Sequence, residues 1–590
     1  MFLILVFHFI FPQSFAEEDK RPIIVTAERS SRSYSETTSS ITVFDREAIE
    51  NLHGTNLSDL LQRVPGISVS SSGAYRKATS LFVRGTDTRH TKILIDGVPV
   101  GDPTGIDGSP RLEFISLDQV ERVEVLKGPQ GALYGSGAMG GVILITTRSS
   151  GKQEELAAGL GLGSHKFRAQ RASVRRRKDD WSIGANLVHE EARGVSAYSQ
   201  KRNSAADRDP YSLLVTDLHL TRHFSHQASL TAFAKATKAH SDYDLSTGDS
   251  TTNTERFSQS SLGVKGDVFA LGGKFTGLAS EVTSDRLTNG GFVYEGKGNL
   301  ASLQWERVVS ESNDLVLGIE HAQESATALD SVLLDEVELS RTAGFLAHHF
   351  ALGAFFSDQS VRFESFSKFG DHSNGKLGVG AYLPWDGWRI KASISNGVRA
   401  PSLYQALGPF GNLSLAPEKS KGGELGVAFS RDQTQFEIVG FKTNYENFIS
   451  FGSSRYENIE RVEIEGIEAQ VARQGRLGGW SLEGTYLSAY DQTNRKELAK
   501  RPHFKGSSEV YWSDEESRAA LVIAYTGERE DVGRVQMPSY TLVHLRIKSD
   551  LSKEMSLRGS VDNLLDKEYE ELLNYGTTGR TFTAFLDIKF

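Results

Sequence analysis

Few side chains in this sequence stand at spacings that perform chemistry. Gly135-Ser136-Gly137-Ala138-Met139-Gly140 has the spacing of a dinucleotide-binding turn, but such a turn follows a strand, opens a helix and meets an acid about 20 residues on. Here the glycines precede the apolar run Val142 to Ile145, so a glycine-rich turn before a strand is the better reading. His189-Glu190-Glu191-Ala192-Arg193 lacks the second histidine of a zinc-protease helix. His348 and His349 fall on opposite faces of any strand. Both pairs are expected in loops or at a rim. Glu463 and Glu465 share a strand face without a general-acid partner, and are expected to line a polar lumen. No catalytic residue is assigned, and an enzyme is the least supported class.

The elements that must position these residues follow two patterns. Between Leu60 and Thr147, short apolar runs (Leu81 to Val83, Ile93 to Ile95, Val142 to Ile145) alternate with turn residues. They read as buried strands of a small mixed domain. Asp45 is placed to cap a helix, and a second helix is expected from Leu57 to Arg63, stopped by Pro65. From Ser149 to Phe590 the period becomes two. In the last stretch Phe582, Ala584, Leu586, Ile588 and Phe590 are apolar, with Thr581, Thr583, Asp587 and Lys589 between them. Such strands require lipid on one side and water or protein on the other, and closure removes their edges.

Composition agrees. The chain has 590 residues, 57 glycines and 14 prolines, and no apolar run long enough for a spanning helix. A net charge of -9 argues against a nucleic-acid partner. The basic run Arg175 to Lys178 reads as a solvated strand end or turn. With no cysteine, disulfides and thiolate metal sites are excluded. Phe2 to Phe11 is an apolar run of signal-peptide length, and Ser14-Phe15-Ala16 offers a cleavage site, although no lysine or arginine precedes the run. Residues 1 to 16 are therefore expected to be removed on export.

In their order, Val64-Pro65-Gly66-Ile67, Phe82-Val83-Arg84-Gly85, Leu94-Ile95-Asp96-Gly97-Val98, Val120-Glu121-Arg122-Val123-Glu124-Val125, Lys127-Gly128-Pro129 and Tyr134-Gly135-Ser136 resemble the plug domain of TonB-dependent outer-membrane receptors. The resemblance continues through Asn396 to Leu403, Asn412 to Ser420, Gly466 to Ala469 and Val561 to Tyr569. It implies an all-β transmembrane barrel of 22 antiparallel strands with an N-terminal mixed α/β plug in its lumen, in the outer membrane of a Gram-negative-type bacterium. Sharing the chain after residue 148 among the strands of a plugged transporter gives each, with its connection, roughly 20 residues. The expected divisions are a signal peptide (1–16), a periplasmic segment (17–40), a plug (41–148) and a barrel (149–590).

The resemblance also implies partners and sites. Ile23, Ile24, Val25, Thr26 and Ala27 resemble the TonB box, which joins the inner-membrane energy-transducing protein as an added strand. So short a stretch before the box leaves no room for a signalling domain. Outer-membrane lipid surrounds the barrel, barrel-assembly machinery reads the strand ending in Phe590, and a monomer is expected. Arg84, Arg122 and Lys127 are expected to dock the plug on Glu424, Glu465 and Glu468 of the wall. Ser71, Ser72, Tyr75, Arg76, Asp102, Thr104 and Asp107, in outward plug loops, are ligand-contact candidates, although such small polar residues equally suit spacers. Within the family the wording is closest to the cobalamin-receptor branch, whose outer loops hold calcium. Asp207, Asp209, Tyr243, Asp244 and Asn253 resemble those segments and offer oxygen donors. Val195 and Ser196 stand where a further aspartate belongs, and solvated loop carboxylates are the alternative. No covalent cofactor is expected. The expected cargo is cobalamin or a related corrinoid, with a ferric siderophore or haem as rival, kept open by Tyr75, Arg76 and Arg111. A passive porin or adhesin barrel would need neither plug nor box.

Overall fold

The structure, a computed structural model, describes residues 24, 25, 28–30, 32–150, 154–288, 291–310, 312–330 and 332–590. The signal peptide and Ile23, Thr26 and Ala27 of the box lie outside these residues. Two units appear, one inside the other.

The inner unit is built where the apolar runs predict. Strands β3 (Ile41–Phe44), β6 (Thr91–Ile95), β7 (Val98–Pro99), β8 (Val120–Lys127) and β9 (Gly141–Thr147) form one sheet in the order β3-β8-β9-β6-β7. β6 and β9 run parallel with Ile93 opposite Ile143. Strands β4 (Ile67–Ser71) and β5 (Thr79–Val83) make a separate hairpin. Helix α1 (Arg46–Leu52) starts at Asp45, whose side chain accepts from the Ala48 amide. Helix α2 (Leu57–Leu61) starts at Asn56 in a full capping box with Asp59. Leu57, Leu60, Leu61, Leu81, Val123, Val125 and Ile143 meet in one buried core between helices and sheet. Helix α3 (Gly131–Tyr134) precedes the glycine turn, which leads into β9 as the strand-after-glycine order requires.

Around this unit, among the described residues, 22 long antiparallel strands each pair with the next in sequence. The first, Glu155–Gly163, closes on the last, Thr581–Lys589. Period two is visible in exposure: Leu160 and Leu162 are 60% and 65% exposed, while Gly159 and Gly161, which alternate with them, face Arg171 and Phe585 of the lumen. Among the described residues no helix is long and apolar enough to cross a membrane; the strands do so. Two-residue turns such as 179–180, 226–227 and 271–272 mark one rim. Stretches such as 193–210, 243–253, 400–417 and 563–580 mark the other, and the third of these carries helix α4 (Leu403–Leu407). Short turns face the periplasm and long loops the exterior.

Candidate functional site

The chain entering the plug is fastened to the barrel before the plug begins. β1 (Ile24–Val25), from the predicted box, pairs with β2 (Arg32–Ser33). Glu28 then meets Lys376 at 2.9 Å, and Arg29 lies over Tyr134 and Phe345. Asp358 accepts from both the amide and hydroxyl of Thr38, and Glu424 accepts from the Ser40 amide. Residues 28–30 and 32–40 therefore form a strap along the wall.

Glu424 also links the strap to an ionic contact between plug and wall. Its other oxygen takes a 2.7 Å hydrogen bond from Arg84, which donates again to Glu468 at 2.9 Å and 3.2 Å and lies 4.4 Å over the ring of Phe441. Lys127 completes the group, 2.7 Å from Glu468. Two cations face two carboxylates with every charge satisfied, as a buried ionic contact requires. The two partners hold Arg84 further toward its charged form, despite burial.

Two predicted docking residues go elsewhere. Arg122 pairs within the plug with Glu124 at 2.9 Å. Glu465 is 54% exposed on the outer face, where it and Glu463 hold Lys442. The expectation that Glu463 and Glu465 line the lumen is thereby corrected. In a regular strand residues three apart cannot share a face, so Glu468 inward places Glu465 outward. Both histidine motifs lie in wall strands, not in loops. Inward His349 bonds Asp358 at 2.8 Å, and Glu190 is fully buried. Arg175, in the run taken as solvated, is buried against Glu155 and the Arg148 carbonyl.

On the outward side of the plug, Arg76 is not presented to the exterior. It is buried, 2.5 Å from Glu190, and donates to the carbonyls of Glu113 and Thr55, so it belongs with the docking pairs. Tyr75 is half-buried between Tyr211 and His165. The Ser71 amide donates to Glu571 of the last outer loop, and Ser72 donates to the Ala78 carbonyl. Asp102 and Thr104 close a buried turn, and Asp107 closes another with the Ser109 amide. Ile106 between them is 52% exposed. Arg89 and Arg111 are committed to Glu418 and Glu255. Above them, Tyr294 and Tyr404 both donate to Asp330, Tyr404 packs edge-on to Tyr456, and Phe451 packs between Tyr456 and Phe410. This aromatic group, beyond the sequence reading, is signalled only by scattered tyrosines in strand ends.

The outer loops meet over carboxylates. Oxygens of Asp207, Asp244 and Asp249 lie within 4.8 Å of one another, and Asp209 adjoins them, its second oxygen accepting from the Ala197 amide. Asp249 was not a sequence candidate. Tyr243 and Asn253 instead close the foot of their loop, amide to carbonyl at 3.0 Å. Oδ1 of Asp207 and Oδ1 of Asp209 are buried without a hydrogen-bond partner. Burial, with Asp249 and Asp244 close by, pushes the Asp207 carboxyl up to about 6. Asp209 is raised too, by burial and then by Asp244. Oxygen-only donors with unfilled acceptor positions fit a hard divalent cation such as calcium. Loops 193–210, 243–253 and 563–580 are further joined through Ser199 and the Asn574 carbonyl, and through Asn574 and the Ser246 carbonyl.

The family model described as TonB dependent receptor-like, beta-barrel matches residues 158–564, and that of the TonB-dependent receptor plug domain matches residues 33–142. A protein named vitamin B12 transporter BtuB, from Vibrio vulnificus (strain YJ016), is 26% identical, covering 96% of this chain and 95% of that protein. Among solved structures, the siderophore receptor PirA of Acinetobacter baumannii superposes with a TM-score of 0.82 at 18% identity, covering 93% and 98% of the two chains. A mutant of the ferric enterobactin receptor PfeA of Pseudomonas aeruginosa gives 0.82 at 19%, covering 96% and 100%.

Proposed function

The chain belongs to the TonB-dependent receptors of the outer membrane, and on that premise we propose that its cargo is cobalamin or a related corrinoid. Members of this family are receptors and transporters that bind a ligand and engage TonB. The observation that carries the cargo is the commitment of the plug's outward arginines. Arg76, Arg89 and Arg111 are each neutralised by a wall carboxylate, which leaves an aromatic vestibule over the exposed Ile106. A polyanionic iron chelate needs uncommitted cations; a bulky, largely neutral macrocycle needs aromatic and apolar surface. The B12 transporter among the relatives supports the same reading.

In this reading calcium is held by Asp207, Asp244 and Asp249 with Asp209 beside them. The ion supplies positive charge that lets the three outer loops close as one surface. Cargo seats on that surface and on the plug apex. The partner protein then takes the Ile23 to Ala27 segment as an added strand, and no covalent step is involved. Lipid contacts the outward apolar residues, and assembly machinery reads the closing strand. The test is calorimetry with cyanocobalamin on the purified protein, in calcium and in chelator. Nanomolar binding that weakens roughly tenfold on chelation, a usual size for coupling between sites, supports cargo and ion together. No binding in either condition overturns the corrinoid and favours a siderophore or haem.

A further inference from the structure

Where the turn between β6 and β7 meets the wall, another charged contact is built from different donors than the Arg84 group. Ile95 pairs with Val98, so Asp96 and Gly97 alone make the turn, both at positive φ (50° and 93°). Asp-Gly is a pair that such a mirror-image turn favours. It brings the Asp96 carboxylate against the wall strands Tyr211–Ser225 and Ala228–Asp242.

On the first of these strands Asp217 and His219 stand two residues apart and share the inward face; both are more than nine-tenths buried. The His219 ring stacks on Phe233 with centroids 5.7 Å apart, and Phe233 packs with Val98 and Val282 in a small apolar cluster. In this setting Nε2 of His219 lies 3.2 Å from Oδ1 of Asp217 and 3.6 Å from Oδ2 of Asp96. Lys235, opposite Asp217 in the register, holds its ammonium against Oδ2 of Asp96 and 3.4 Å from Oδ1 of Asp217.

Both carboxylates are held in place. Asp96 accepts from the Thr147 amide at 3.0 Å and from its hydroxyl at 2.7 Å, and Oδ2 of Asp217 accepts from the Ser149 hydroxyl. Oδ1 of Asp217 and Nε2 of His219, by contrast, are buried without a hydrogen-bond partner among the described residues. At the centre, two carboxylates and an imidazole share one ammonium. One ring nitrogen and two carboxylate oxygens, all within 4.8 Å of one another, make a mixed donor set that suits zinc, whereas calcium takes oxygen alone. Ligands bound tetrahedrally to zinc at about 2.0–2.1 Å stand about 3.3 Å apart, close to the 3.2 Å and 3.6 Å found here. Asp96 and Lys235 keep 10% and 14% of their side-chain surface exposed, which gives an ion a way in. The flexible stem of a lysine lets its compact ammonium move aside.

We propose that Asp96, Asp217 and His219 form a zinc site, in which the metal replaces the Lys235 ammonium and pins the β6–β7 turn of the plug to the wall. The site does not depend on the cargo. Zinc takes the two carboxylate oxygens and the neutral imidazole, and the ammonium turns out to water.

The test titrates zinc into the purified protein by calorimetry, in excess calcium, which competes for the oxygen-only carboxylates of the outer loops. Cobalt, which absorbs visible light when four-coordinate, serves as the spectroscopic probe, and heat-modifiable gel migration establishes that each variant barrel has folded. His219→Gln and Asp217→Asn should each weaken zinc by at least about a hundredfold, the upper end of the loss for removing even an outer partner of a metal ligand. Lys235→Gln should tighten zinc by about tenfold, an ordinary size for coupling between two binding events, because the competing cation is gone. A gain of this kind is not imitated by a variant that merely loosens the fold. At a tenfold excess over its Kd, zinc should slow amide exchange of residues 91–100 by about tenfold, since opening the turn must first release the ion. His219→Gln should abolish that slowing.

Failure of the unsubstituted protein to bind zinc overturns the site. So does binding that survives in folded His219→Gln or Asp217→Asn, or the lack of a gain in Lys235→Gln. Binding that follows these variants but leaves exchange of the turn unchanged overturns the pinning of the plug.

Discussion

The docking group between plug and wall and the carboxylate group among the outer loops are both clusters of wholly or partly buried charge, yet their balance differs. At the first, Arg84 and Lys127 meet Glu424 and Glu468 with nothing left over. At the second, Asp207, Asp209, Asp244 and Asp249 crowd together, and the nearby ammonium of Lys77 reaches the Asp209 carbonyl and Ser241. A self-neutralised group is a permanent fixture. An under-neutralised one is conditional, and its stability belongs to whatever cation completes it.

The largest expected effect breaks the balanced group. Glu468→Ala strands Lys127 and half of Arg84 in a buried setting, and removing one partner of a buried pair typically costs about 3–5 kcal/mol. The plug should loosen, and cells should become sensitive to large antibiotics that intact outer membranes exclude. Unchanged permeability with a folded barrel would show that the strap, not this group, holds the plug.

At the acidic group the sign reverses. Folded-state carboxyls of Asp207 and Asp209 are raised above the ordinary aspartate value, so between about 4 and about 6 for Asp207 the folded protein binds more protons than the unfolded chain. Stability in chelator should therefore be greatest at the acid end and fall as pH rises through this window. Calcium should flatten the profile, adding about 2.7 kcal/mol at a hundredfold excess over its Kd. Asp244→Asn should lose most of the calcium gain while leaving the chelated protein no less stable. Thermal unfolding across pH, with and without calcium, reads both.

Much of this was legible in the sequence. Alternation such as Phe582 to Phe590 specifies a membrane strand because only period two divides lipid from lumen, and Asp45 announces its helix by capping chemistry. Partner choice was less legible. Arg76 looks like a ligand contact in a polar loop, and only the closed barrel brings Glu190, 114 residues on, against it. Asp249 escaped notice because nothing local distinguishes a loop aspartate that converges on others from one that does not. The order of the strap was not legible, since it comes from wall residues hundreds of positions away.

The smallest expected effect sharpens the comparison within a single strand. Glu465 and Glu468 are three residues apart in Tyr456–Arg473, yet one is half-exposed beside Lys442 and the other is buried between Arg84 and Lys127. An exposed pair contributes at most about 1 kcal/mol, and Lys442 keeps Glu463 at 3.0 Å when Glu465 is removed. Glu465→Ala should therefore leave antibiotic exclusion and thermal unfolding essentially at their unsubstituted values, against the large loss at Glu468. A leak from Glu465→Ala together with none from Glu468→Ala would mean that the strand's register is shifted by one residue. Every inward assignment along it, including the docking group, would then have to be redrawn.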